Sequence, residues 1–299
     1  MITVETPLTL VSDDDLLEIG RLIESKFPRG RYHHSLYHQL VFYKKAIRLY
    51  NEGLTWYEVS KELGIRESAT YHWLVLGRKP WSTYKIPPAT FDFGYLLGSG
   101  IGDGTMSANG KKLLYKWIKD EDFADKIVES ARNLNVYAYK WYRERGWFVI
   151  ISNVVISELV WIGKTNPYLL LPIISNMKVG RGVLSGWFDA EGSPAISGLS
   201  EYKYCVPCAA STNKELIEVM GKLLDMLNIH YTINKQETKE IRDPRTRKVY
   251  KPKSEKLYRL RIRRCCVIKF NEVISFRISR KKAVLEKIIQ QSGFKNVCQ

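Results

Sequence analysis

Two stretches of this chain line up with each other residue for residue: Leu96–Gly104, LLGSGIGDG, and Leu184–Gly192, LSGWFDAEG. Each has Gly at its third position, a small residue at its seventh, an acid at its eighth and Gly at its ninth. The small residues are Gly98 with Gly102 in the first copy and Gly186 with Ala190 in the second. Residues four apart share one face of a helix, so each stretch presents a flat stripe on which a second helix can lie very close. Glycine inside a helix costs about 0.5–1 kcal/mol relative to alanine, and a tight helix pair is a reason to accept that cost.

The acid closes each predicted helix, where the macrodipole is negative and a carboxylate is unfavourable. If the two helices run parallel, Asp103 and Glu191 sit side by side and repel. A bound Mg²⁺ or other divalent cation relieves both problems, because hard cations prefer carboxylate oxygens. Paired acids of this kind suit metal-assisted phosphodiester hydrolysis.

Working outward, the pattern after each stretch repeats. In the first half, strands flank the Asn109-Gly110 turn, a helix spans about 122–134, a hairpin turns at 143–146 and a helix follows at 154–162. In the second half, strands are expected at 195–199 and 204–210. A helix is expected to open on a Thr212/Glu215 capping box, with strands at 231–235 and 257–263 and a helix at 281–291. The fold class is therefore α+β, with two pseudo-symmetric αββαββα halves over 86–175 and 176–299. Alternation in the last strand puts Tyr258, Leu260 and Ile262 on one face and Arg259, Arg261 and Arg263 on the other; Thr232 and Asn234 point to the polar face of the neighbouring strand.

Upstream, residues 1–35 form a lead segment with a short helix expected from Asp13 to Lys26. Residues 36–85 read as a small all-α unit. Thr55 and Glu58 form a capping box, Gly64 allows a sharp turn, and TWYEVSKELGIRESATYHWL over 55–74 resembles a helix-turn-helix. Its candidate base readers are Arg66, Glu67, Ser68, Tyr71 and His72, with Arg78 and Lys79 as a basic tail.

Composition agrees with an anionic partner. The 299 residues carry a formal charge of +16, and 235–264 holds 13 Lys/Arg against 4 Asp/Glu. Such a surplus points to nucleic acid. No apolar run reaches membrane-span length and the acidic start is no signal peptide, so an intracellular protein is expected. Five cysteines make no disulfide framework, and the adjacent Cys265 and Cys266 are poorly spaced for chelation beside the CxxC at Cys205 and Cys208. His33, His34 and His38 read as solvated or packed histidines.

The paired stretches closely resemble the LAGLIDADG motif of homing endonucleases, and with the repeat order the resemblance covers about 91–291. It implies two sheets forming a saddle over double-stranded DNA, motif helices at the interface of the halves, and a metal-dependent double-strand break. The metal ligands carried over are Asp103 and Glu191. Basic residues near the scissile phosphates carry over onto Lys119, Lys164 and Lys281 as catalytic assistants. Where the first half has Lys119, the second has Ser211 and Thr212, a departure that bears on equal cutting of the two strands. The chain lacks a His-Asn ending, so a free-standing, monomeric product of a mobile intron is expected rather than a protein-splicing element. Two rival readings are a catalytically silent transcription regulator on the same scaffold and a maturase that binds intron RNA.

Overall fold

The computed structural model describes residues 7–27, 35–80, 84–194, 206–237, 241–242, 249–250, 254 and 256–292. The expected strand at 195–199 lies outside them, as do His33, His34 and Cys205.

Four helices lead: α1 (Asp13–Lys26), α2 (Leu36–Asn51), α3 (Trp56–Leu63) and α4 (Glu67–Leu74). The first half is α5 (Phe91–Asp103), β1 (Gly104–Met106), β2 (Leu113–Ile118), α6 (Glu121–Asn133), β3 (Tyr137–Arg143), β4 (Gly146–Ser152) and α7 (Val154–Thr165). A short α8 (Leu171–Ile174) connects to the second half. There follow α9 (Met177–Glu191), β5 (Gly192–Ser193), β6 (Cys208–Ser211), α10 (Lys214–Met226) and β7 (Tyr231–Glu237). The small hairpin β8 (Ile241–Arg242) and β9 (Val249–Tyr250) precedes β10 (Lys256–Ile262), α11 (Val267–Val273) and α12 (Ser279–Ser292).

Each half builds a four-stranded antiparallel sheet, ordered β1-β2-β4-β3 and β5-β6-β10-β7. The two orders correspond strand for strand, so the repeat read in the sequence is a repeat of the fold. The β3–β4 turn uses Glu144 and Arg145, both with positive φ, as a two-residue hairpin of matching twist requires. In the second half that turn is replaced by the basic stretch carrying β8 and β9.

One core runs through both halves, and α5 and α9 are its centre. They run parallel: Gly94 meets Val179, Gly98 meets Val183, and Gly102 meets Ala190 and Glu191. A Cβ at Gly98 would strike the Val183 carbonyl oxygen, and one at Gly186 the Tyr95 carbonyl oxygen. The stripe extends one turn further than the sequence reading placed it, through Gly94 and Gly182, which face Val179 and Phe91.

The leading helices divide in a way the sequence did not show. Leu16, Ile19 and Ile23 of α1 and Leu36, Tyr37 and Leu40 of α2 are buried in the main core. A separate small core of Ala46, Val59 and Trp73 holds the rest of α2 to α3 and α4. Residues 13–26 thus form the expected helix and are packed into the main core, and α2 bridges both units. The Thr55–Glu58 capping box forms in both directions, and Gly64 adopts φ 63 in the left-handed region. His38 is packed, with Nδ1 2.7 Å from Glu24 Oε1 and Nε2 3.1 Å from the Leu17 carbonyl oxygen.

One cap differs from the sequence expectation. α10 is capped by Asn213, whose Oδ1 accepts from Leu216 N at 3.1 Å, rather than by Thr212. Asn213 wins because its amide also donates to the Lys164 carbonyl oxygen at 3.1 Å, tying the halves together. Among the described residues no helix is long and apolar enough to cross a membrane.

Candidate metal and nucleic-acid site

The parallel pairing of α5 and α9 brings Asp103 and Glu191, the last residue of each helix, to the same end of the pair. Both carboxyls are pushed above their ordinary range. Desolvation is the main cause at each, and at Glu191 the charge of Asp103 adds to it. Lys164 and Lys281 pull both carboxyls the other way.

Those two lysines hold equivalent places. Lys164, near the end of α7, donates to the Gly102 carbonyl oxygen at 3.1 Å. Lys281, near the start of α12, donates to the carbonyl oxygens of Phe188 at 3.3 Å and Gly192 at 2.7 Å, and to that of Asp189. Each lysine therefore sits over the C-terminal end of the motif helix of its own half, where its positive charge meets backbone carbonyls at the negative pole. Lys281 is the deeper, 9% exposed. Desolvation lowers both ammonium pKa values, and the neighbouring acids oppose that. Lys119 is placed differently. It is exposed beyond the end of β2, and its charge is not among those acting on either acid.

The donor set suits a hard divalent cation. Two carboxylates converge at paired helix ends, raised toward protonation, and the two lysines offset only part of their negative field. His230, Cys265 and Cys266 also bring their ligand atoms within 4.8 Å. Cys266 is disulfide-bonded, however, so that trio offers two ligands rather than three.

A residue the motif reading passed over sits beside the acids. Asp189, at the sixth motif position where the first copy has Ile101, is 2% exposed. It accepts from the Tyr95 hydroxyl at 2.7 Å and from the backbone N–H groups of Arg277 at 3.1 Å and Ile278 at 3.4 Å. Burial raises its pKa from the ordinary 3.8 to about 6. Arg277 continues the strap into the first half, donating to Ser130 Oγ at 2.7 Å and pairing with Glu129 at 3.2 Å. Arg280 reaches Asp120 at 2.8 Å. This strap leads into α12 and sets Lys281 over the helix end. The difference between Asp189 and Ile101 was visible in the sequence; the segment it binds, 88 or more residues away, was not.

The open faces of the sheets carry the remaining candidates. In the second sheet Arg259 lies opposite Asn234 and Arg261 opposite Thr232. Leu260 and Ile262 are buried beneath, as the alternation requires. Arg263 lies just past the strand and is exposed. In the leading unit Arg66, Glu67, Ser68, Tyr71, His72, Arg78 and Lys79 are all exposed, and Tyr71 packs edge-on against Trp56 at 5.5 Å.

Residues 178–275 match the family model described as a LAGLIDADG-like domain. That segment, which holds the second motif copy, is thus a LAGLIDADG-like domain. An uncharacterised protein of Methanocaldococcus jannaschii is 27% identical over 146 residues, which is 46% of this chain and 55% of that protein. The match thus spans about half the length of that relative. Among solved structures, I-DmoI in complex with DNA and Mn is 19% identical with a TM-score of 0.41, over 62% of this chain and 97% of that one. Full-length WhiA from Thermotoga maritima is 12% identical with a TM-score of 0.43, over 68% and 61%. Likeness at this level carries no inference about activity.

Proposed function

We propose that this protein is a site-specific, divalent-metal-dependent DNA endonuclease that cuts both strands of a duplex. The observation that carries the reading is the convergence of Asp103, Glu191, Lys164 and Lys281 at one end of the α5–α9 pair. In this reading Asp103 and Glu191 hold a Mg²⁺ or similar cation, which supplies a more acidic bound water and positive charge for a developing phosphorane. Lys164 and Lys281 orient the motif-helix ends and add positive charge beside the scissile phosphates. Lys119 assists from just beyond the end of β2, on one DNA strand only, since Ser211 and Thr212 stand at the matching place. Arg259, Arg261, Arg263, Thr232 and Asn234 contact DNA from the second sheet, and the exposed side of α4 lengthens the footprint. The protein acts as a monomer, because one chain supplies both acids.

The test is cleavage of a randomised duplex library with Mg²⁺, beside binding with Ca²⁺. Double-strand cutting at a recurrent sequence is the expected result. Tight duplex binding without cutting in any divalent metal would replace this reading with that of a regulator.

A further inference from the structure

The two sheets turn chemically different open faces outward. On the first, alternation groups Tyr137, Tyr139 and Trp141 of β3, and Phe148 of β4 lies opposite Trp141. Trp117 sits at a bulge in β2 with φ 61, which turns its ring onto Phe148 at 4.8 Å between centroids. The rings form a continuous row, with Phe148 on Trp141 at 5.3 Å and Trp141 on Tyr139 at 5.7 Å. Tyr137 is 68% exposed, Tyr139 54% and Trp117 52%. An exposed apolar surface of this extent marks a binding site. Lys116 and Arg143 flank it, exposed, on a chain of charge +16, which favours a polyanion over an apolar protein partner. Tyr139, Trp141 and Phe148 lie at 16° and 20° to one another, so the π faces between them are already covered and the row offers ring edges more than open faces there.

On the second sheet the matching surface is hydrogen-bonding. Among the described residues neither Arg259 nor Arg261 forms an ion pair, and both are half-buried; Arg261 Nε is buried against the sheet without a hydrogen-bond partner, so the outer nitrogens of its guanidinium are the ones left to meet a base. Asn234 lies directly opposite Arg259.

We propose that the two faces read half-sites of opposite composition. The aromatic row of the first sheet takes a run of thymine methyl groups in the major groove, and Arg259 and Arg261 of the second take guanines. The proposal rests on the duplex-DNA reading above and names the sequence that such a site would choose. Thymine is the base that projects an apolar group into the major groove, and consecutive thymines line their methyls along it. Guanine presents two acceptors there, matched to the fork of arginine, and Asn234 suits an adjoining adenine.

The test uses base analogues, which leave the protein unaltered. Duplexes selected from a randomised pool in Ca²⁺ are remade with deoxyuridine for thymine, which deletes only the methyl, or 7-deazaguanine for guanine, which deletes only the N7 acceptor. Deoxyuridine in the half under the first sheet is expected to weaken binding about fourfold per buried methyl, and to do nothing in the other half. 7-Deazaguanine under the second sheet is expected to weaken it roughly tenfold per contact. Replacing Arg259 and Arg261 together by Lys keeps the charge but removes the fork. That variant should lose sensitivity to 7-deazaguanine and keep sensitivity to deoxyuridine, which also identifies the half beneath each sheet. Selected duplexes that tolerate both analogues would overturn the proposal and leave the DNA reading standing, and so would tighter binding of single strands than of duplex through the rings. A pool in which no duplex is enriched would overturn both.

Discussion

The two halves share an order of elements and a strand order, yet they divide the labour differently. The first half holds its motif helix with one lysine bond, from Lys164, and has Ile101 in the sixth motif position. The second holds its helix with three lysine bonds and uses Asp189 to fasten a strap that reaches across to α6. One open face is aromatic, the other cationic. Beyond the shared sheet order, what the halves keep in common is the helix pair, its terminal acids and a lysine over each helix end. A duplicated fold thus preserves the parts that need two-fold geometry and lets the rest diverge, because only residues at the axis are constrained by both halves at once.

The acids test what is common. Asp103→Asn and Glu191→Gln retain size and hydrogen-bonding capacity while removing charge. Each should lower duplex cleavage by on the order of a thousandfold or more, with duplex affinity in Ca²⁺ near wild type. The double variant should be little worse than either single one, since the two acids act as a unit. Near-wild-type cutting by the double variant would end the assignment of both acids.

Next in size are the axis glycines. Gly98→Val and Gly186→Val put a branched side chain against a carbonyl oxygen of the facing helix. Losses of about 3 kcal/mol or more in denaturant unfolding are expected for either, since the backbones must part. The same change at Lys116, exposed on the first sheet, should move stability by less than about 0.5 kcal/mol. Equal tolerance at Gly98 and Gly186 and at Lys116 would mean that the helices do not pack as closely as described.

The asymmetry at the sixth motif position gives a pH signature. With its pKa raised to about 6, Asp189 is more readily protonated folded than unfolded. Its favourable contribution is complete below its unfolded value near 3.8 and is lost as pH rises through about 6. Metal-free protein should therefore lose on the order of 2 kcal/mol from this group between those limits, and Asp189→Asn should flatten that part of the profile. Thermal unfolding across the window reads the difference. Ile101→Val, the same position in the other half, should leave the profile unchanged in shape.

The smallest effect separates contacts within one sheet. Arg263→Ala, beyond the strand end, should weaken all duplexes alike and flatten the log–log salt slope by roughly one unit. Arg259→Ala, in mid-sheet, should change which sequences bind, with a smaller effect on the slope. The reverse pattern would exchange their roles.

Much of this protein was legible in its sequence because the signals were local. The motif stripe, the Thr55–Glu58 cap, the Gly64 turn, the Asn109-Gly110 and 143–146 turns and the alternation in 257–263 all depend on residues within a turn or two of one another. Where signals conflicted locally, the reading slipped. Thr212 has the better short-range pattern, but Asn213 is the cap because its amide finds the Lys164 carbonyl in the other half. The parts decided by tertiary structure are those in which partners lie far apart in the chain. α1 belongs to the main core because α2 and α7 offer it an apolar surface. Asp189 matters because the Arg277–Ile278 backbone, 88 residues on, closes over it. The sequence by itself determined that two helices would pair through small residues and end in acids. Only the packed chain decided which cations meet those acids and which sheet would face outward with rings rather than arginines, since burial and desolvation are properties of the assembled surface and not of any segment.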